Sequence, residues 1–132
     1  GPRQDPSSPY SGVISIFTER AQAGLPISVF GDGEQTRDFF YVADLVQLLV
    51  QALQMPQVVV GAVNVGWNQA VSLNQLLAEV GQLCGGLPEV CYLAARPGDI
   101  RHSRAAIERL RSAYQLPEPT PLLEGLRRLL QA

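Results

Sequence analysis

From Asp44 to Met55 the chain is apolar on almost every side, through Leu45, Val46, Leu48, Leu49, Val50, Ala52 and Leu53, with Gln47, Gln51 and Gln54 as its one polar stripe. A helix of that kind needs packing partners on more than one face. The chain must therefore sandwich this segment or leave apolar surface for something else to cover. Pro56 ends the segment, because proline lacks the N–H and clashes with the preceding turn. Asp44 stands where a carboxylate can cap a helix beginning at Leu45.

Around this segment, strand and helix signals alternate. Ser8-Pro9 reads as an N-cap followed by proline at the first helical position, and Val13, Ile16, Phe17, Arg20 and Ala21 keep helical spacing as far as Gly24. This predicts a helix over 9–23. Ile27 to Phe30 alternate as a short strand ending in the turn Gly31-Asp32-Gly33, which reads as hairpin-like. Thr36 to Val42 is expected as a second strand and the β-branched run Val58 to Val65 as a third. Ser72 and Gln75 form a capping box ahead of an amphipathic helix carrying Leu73, Leu76, Leu77, Val80 and Leu83, stopped by Gly85-Gly86. Val90 to Leu93 is a further strand and Arg96-Pro97-Gly98-Asp99 a turn. Ser103 is expected to cap a helix carrying Ile107 and Leu110, and Thr120-Pro121 starts a last helix with Leu122, Leu123, Leu126, Leu129 and Leu130 inward. About five helices and five short strands in alternation predict an α/β fold with a parallel or mixed sheet.

With 132 residues, 46% of them hydrophobic, the chain has the size of one globular unit with a core. A net charge of -2 argues against a broad nucleic-acid or anionic-membrane surface. No apolar run reaches the ~18 residues of a membrane span and no signal-peptide pattern is present. The expectation is a cytoplasmic protein with no nucleic-acid and no membrane partner. All ten Lys+Arg residues are arginines, which excludes Schiff-base and P-loop chemistry from these residues. The single histidine, His102, cannot build a histidine-rich metal site and is expected in a solvated loop; no metal is expected. Cys84 and Cys91 read as reduced thiols packed like small apolar residues.

Two loops each present one arginine: Thr36-Arg37-Asp38 and Arg96-Pro97-Gly98-Asp99. The planar guanidinium fork suits phosphate oxygens, and two forks from different elements can straddle a diphosphate. Each arginine could equally pair with a neighbouring carboxylate. Gly31-Asp32-Gly33 is no dinucleotide fingerprint, since the third glycine is missing and a strand signal follows. Trp67, in a polar loop, could stack a ring or serve as a packing lid.

Four motifs in order, GPRQDP at 1–6, GDGEQTRDFFYVADL at 31–45, NVG at 64–66 with SLNQL at 72–76, and RPGDIRHS at 96–103, resemble the carboxyl-terminal part of extended short-chain dehydrogenase/reductase enzymes. The likeness is strongest to UDP-glucose and UDP-N-acetylglucosamine 4-epimerases. It implies the carboxyl-terminal portion of an extended Rossmann-type enzyme with an incomplete cofactor domain, in which residues 1–132 form one substrate-binding unit and the segments from about 36 to 84 complete the Rossmann domain of the full enzyme.

Carried onto this sequence, the resemblance implies that Arg37 and Arg96 hold the diphosphate of a UDP-sugar and that Asp99 bonds the uridine ribose. It also implies that Ser28, Val29 and Phe30 offer a backbone edge to uracil, that Leu73 touches the base and that Ser103 stands near the sugar. NAD in the full enzyme takes a hydride from the sugar C4 and returns it to the opposite face. The glycine-rich NAD loop and the catalytic Tyr-x-x-x-Lys precede the GPRQ motif in the family, so this chain is expected to be a piece of a longer enzyme. It is expected to carry no catalytic residue, to bind no cofactor alone and to be inactive alone. Its expected partners are a UDP-sugar, the NAD-binding portion and further copies of itself. A nucleotide-sugar 4,6-dehydratase or GDP-sugar enzyme is an alternative in the same class. A stand-alone binding or assembly module without activity is the alternative outside it.

Overall fold

The computed structural model describes residues 12–57 and 59–131. Helix α1 (Val13–Ala23) leads into strand β1 (Ile27–Phe30), and helix α3 (Leu73–Cys84) leads into strand β4 (Val90–Leu93). β1 and β4 pair in parallel, with Ile27 opposite Val90 and Phe30 opposite Leu93. Phe17 of α1, Ile27 and Val29 of β1, and Leu73, Leu76, Leu77 and Val80 of α3 form one core cluster, closed by Leu126 of α5 (Leu122–Leu130). The spacing of those α3 residues is that of one helix face, so the amphipathic pattern is what docks α3 against α1 and β1.

A second, smaller ladder sits beside this unit. Strand β2 (Thr36–Arg37) pairs antiparallel with β3 (Val71–Ser72), and Thr36 also bridges His102 on its other side. Helices α2 (Val42–Gln54) and α4 (Glu108–Ala113) meet through Leu48, Ile107 and Leu110 in a separate core cluster. The α/β class and the five helices agree with the sequence; among the described residues there are four strands, β1 and β4 where expected, β2 shorter than expected and β3 not foreseen. The capping box at Ser72 forms as written, with Gln75 N donating to Ser72 Oγ and Ser72 N donating to Gln75 Oε1. Gly85 then ends α3 in the left-handed conformation.

Several expectations need correction. α1 begins at Val13 with Gly12 as N-cap, and Ser8-Pro9 lies outside the described residues. β2 stops at Arg37 instead of running to Val42, because Asp38 turns aside to bind the loop at 67–69 and α2 has already begun at Val42. Asp44 is no cap: the N-cap is Tyr41, and Asp44 lies 1% exposed inside the first turn, accepting from Thr120 N at 3.0 Å and Thr120 Oγ1 at 2.7 Å. Residues 59–65 form no strand: they pair with none of the strands among the described residues, and Val60 stays exposed. The Gly31-Asp32-Gly33 turn is not a hairpin, because β1 and β2 belong to different ladders. Ser103 caps nothing; α4 starts at Glu108 behind Ile107.

α2 keeps its sequence-level problem in three dimensions. Asp44 and Leu48 point inward, while Val42, Val46, Leu49, Val50 and Leu53 are exposed along the opposite face, Leu53 at 86%. On the inward side Leu48 packs in the second core cluster and Asp44 ties α2 to Thr120, just ahead of α5. Replacing Thr120 by valine keeps the shape but removes one of two bonds to a buried carboxylate, and is expected to cost about 2 kcal/mol of stability. Urea unfolding of the wild type and Thr120→Val measures this; an unchanged midpoint would mean that Asp44 is not a structural anchor.

Candidate nucleotide-sugar cleft

Where β1 and β4 end, the carboxyl ends of two parallel strands open onto loops, and such an end is where α/β sheets usually bind ligands. A cleft of about 930 Å³ lies there, walled by α1, β1, β2, the start of α3 and the loop after β4. Ser28, Val29, Phe30, Arg37, Leu73, Arg96 and Asp99 all line it. Ser103 does not; it lies exposed beside β2, its N–H donating to Thr36 O.

Arg37 reaches the cleft because β2 sits between β3 and the 101–103 segment: Thr36 N donates to Arg101 O, and Ser103 N to Thr36 O. Its Nη1 donates to the carbonyls of Thr36 and Ile100, and its Nη2 to Asp99 Oδ1 at 2.9 Å. The two arginine loops, far apart in sequence, are therefore bonded to one another. Neither arginine pairs with the acid next to it. Arg96 lies over the Phe30 ring, its Cζ 3.6 Å from the centroid, a cation–π contact that holds the guanidinium without spending its hydrogen bonds.

Asp38 lines the cleft but its oxygens face the protein. They accept from Trp67 N, Asn68 N and Ala105 N at 3.0–3.1 Å and from Gln69 N at 3.5 Å. Asn68 is left-handed (φ 57°), which lets successive N–H groups converge on one anion. A Cβ at Gly66 would lie 2.6 Å from Asp38 Oδ2 and 2.5 Å from Ala105 Cβ, so only glycine allows this approach. Trp67 is a packing residue, stacked on Phe40 at 4.7 Å and buried.

Three polar residues of the cleft lining were given no site role from the sequence, although Asp38 was named beside Arg37. Arg20 adds a third cation, its Nη1 bonded to Pro26 O at 2.7 Å; helical spacing made it look like one more α1 position. Gln35 and Asp38 flank the Thr36–Arg37 strand and also line the cleft; a polar residue beside a candidate arginine was the available signal. Outside the cleft, Arg101 bonds Asp32 and holds its carboxyl well below the usual carboxylate range. His102 is exposed, its Nδ1 3.0 Å from Thr36 Oγ1, and both cysteines are free and half-buried. Among the described residues no group of three His, Cys, Asp or Glu side chains could hold a metal, and no helix is long and apolar enough to cross a membrane.

Comparison with known proteins bears directly on this cleft. The pattern of the NAD dependent epimerase/dehydratase family matches residues 1–66, half of the chain. The chain belongs to that family. It is 34% identical over 131 residues to a UDP-glucose 4-epimerase of Mycolicibacterium smegmatis, covering 99% of this chain and 41% of that protein. Among solved structures it resembles UDP-N-acetylglucosamine 4-epimerase from Methanobrevibacter ruminantium in complex with UDP-N-acetylmuramic acid, with TM-score 0.89, 34% identity, and coverage of 99% of this chain and 42% of that one. It also resembles the Thermus thermophilus UDP-glucose 4-epimerase in complex with NAD, with TM-score 0.82, 31% identity, and coverage of 99% and 42%. The chain thus spans about two-fifths of these relatives and matches their carboxyl-terminal part, the α/β portion of an extended Rossmann-type enzyme.

The geometry makes Asp38 the support of the cleft wall. Asp38→Ala leaves up to four N–H groups without their acceptor and is expected to destabilise by about 3 kcal/mol. The check is equilibrium unfolding in urea, and a loss below 1 kcal/mol, the usual net value of about one hydrogen bond, would contradict it.

Proposed function

We propose that this chain is the nucleotide-sugar grip of a UDP-sugar 4-epimerase of the family. The observation that carries this is the meeting, in one cleft, of two arginines, a carboxylate, a strand edge and an apolar contact from four separate stretches of sequence. Arg37 and Arg96 hold the diphosphate, with Arg96 already oriented by Phe30. Asp99 bonds the ribose, which requires that it share or release its bond to Arg37 as phosphate arrives. The Ser28–Phe30 edge takes the uracil and Leu73 touches the base. Ser103 has no contact with the cleft to support a sugar-binding role. Whether a GDP- or dTDP-sugar replaces the UDP-sugar is decided by a nucleotide panel.

NAD does not fit the residues present. The sequence contains no lysine and no dinucleotide fingerprint, and the Gly31-Asp32-Gly33 turn is occupied by its own contacts: Asn74 N donates to Gly33 O, and Asn74 packs where a Cβ on Gly33 would be. We therefore assign no step of hydride chemistry to this chain. The 36–84 segment, with the exposed face of α2, is instead the part that would complete the NAD-binding domain of a full-length enzyme.

Calorimetric titration with UDP, with NAD in parallel, tests the grip. UDP is expected to bind and NAD to give no heat. Arg37→Ala or Arg96→Ala is expected to weaken UDP binding by about tenfold or more, the loss of one charge-assisted phosphate contact. Absence of UDP heat, with no effect of either substitution, would favour an assembly module. The α2 face generates a second expectation: in the absence of the NAD-binding portion, the chain associates with itself. Sedimentation velocity is expected to give concentration-dependent association that Leu49→Glu with Leu53→Glu abolishes; a monodisperse wild-type monomer would contradict this.

A further inference from the structure

The base-facing wall of the cleft has a feature that the two arginines do not account for. Ile27 N donates to Glu89 O at 2.8 Å and Gly31 N to Leu93 O at 2.9 Å. In a parallel ladder, alternate residues turn their main-chain groups to the neighbouring strand. With the register of β1 and β4, Ile27, Val29 and Gly31 face β4, whereas Ser28 and Phe30 turn their N–H and C=O groups to the other edge, which pairs with no strand among the described residues.

One of those four groups is already spent. Gln35 Nε2 donates to Phe30 O at 2.6 Å, a contact that only the NH2 side of the amide can make with a carbonyl. Gln35 is 4% exposed, and its main-chain carbonyl accepts from Leu73 N at 3.2 Å. Its Oε1 is buried without a protein partner, the one such side-chain atom of the cleft lining among the described residues. Gln35 therefore joins the end of β1 to the start of α3 and to Arg37, two positions along.

We propose that Gln35 is a positioning residue for the nucleotide base. By holding the Phe30 carbonyl it fixes the end of β1, so that Phe30 N–H and Ser28 C=O stand as an adjacent donor and acceptor, the complement of a base edge with a C=O beside an N–H. The inference rests on the nucleotide-sugar assignment of the cleft. Gln35 bonds the Phe30 carbonyl and not the Phe30 ring that carries Arg96, so its loss is read chiefly at the base.

The experiment titrates UDP and inorganic pyrophosphate into the wild type and Gln35→Met, which keeps length and volume but lacks the donor. UDP is expected to bind Gln35→Met about tenfold more weakly, the order of one lost hydrogen bond with its partner left unpaired, while pyrophosphate binds as to the wild type. Unchanged UDP affinity, or an equal loss for both ligands, overturns the proposal while leaving the cleft assignment standing. A wild type that binds pyrophosphate but not UDP overturns the assignment and the proposal together. Gln35→Glu gives a second handle should Gln35→Met fail to fold. A neutral carboxyl can donate to Phe30 O and a carboxylate cannot, so the preference of this variant for UDP over pyrophosphate, taken relative to wild type at each pH, is expected to rise as pH falls. A ratio independent of pH overturns the proposal.

Discussion

The Asp38 carboxylate is the interaction on which the rest of the cleft depends. It gathers the N–H groups of residues 67–69 and of Ala105 onto one anion, and so pulls the loop ahead of β3 and the segment ahead of α4 against the end of β2. A half-buried charge held by several main-chain donors is stabilised by what those donors gain as much as by what the carboxylate gains, since neither is left unpaired. The left-handed Asn68 and the bare Cα of Gly66 are the local conditions for that convergence. Arg37 emerges next to this knot, which is why a two-residue strand is enough to aim it.

Around that support the charges of the cleft are arranged for exchange. Arg37 is satisfied by two carbonyls and one carboxylate, Arg20 by a carbonyl, and Arg96 by the face of an aromatic ring. A dianion bound there, as proposed, would compete with one carboxylate and meet arginine donors that no group among the described residues bonds. The Arg37–Asp99 pair is partly exposed, so breaking it costs little beside the two-pronged contacts that a diphosphate can make.

Much of this was readable from the residues, unevenly. Periodicity located α1, α3 and α5 and both long strands, because each buries one face against a neighbour within the chain. It failed where the partner of an element is not local. Val58 to Val65 has strand composition, but residues 59–65 pair with no strand among the described residues, and Phe39, Phe40 and Tyr41 read as a strand although Phe39 and Phe40 serve separate core clusters. Asp44 looked like a cap because caps and buried anchors share one residue type; its bond to Thr120, 76 residues on, has no trace in a local window. At the cleft, the arginines, Asp99, β1 and Leu73 were picked out from the sequence and meet in space, though what they bind is a proposal. Ser103 was picked out with them and lies elsewhere. Gln35 and Arg20 were missed, since an uncharged amide and a helix-borne arginine carry no motif of their own.

The long sequence separation within the cleft has a kinetic side. Arg37 and Asp99 lie 62 residues apart, and β1 meets β4 only after the whole of α2, β3 and α3 has been laid down between them. Contacts of such span close late, because the entropy of the intervening loop is spent before any pairing repays it. The helices can therefore be in place while the cleft is still open. In the reverse direction, a fluctuation that parts β1 from β4 would disable the site long before the chain unfolds.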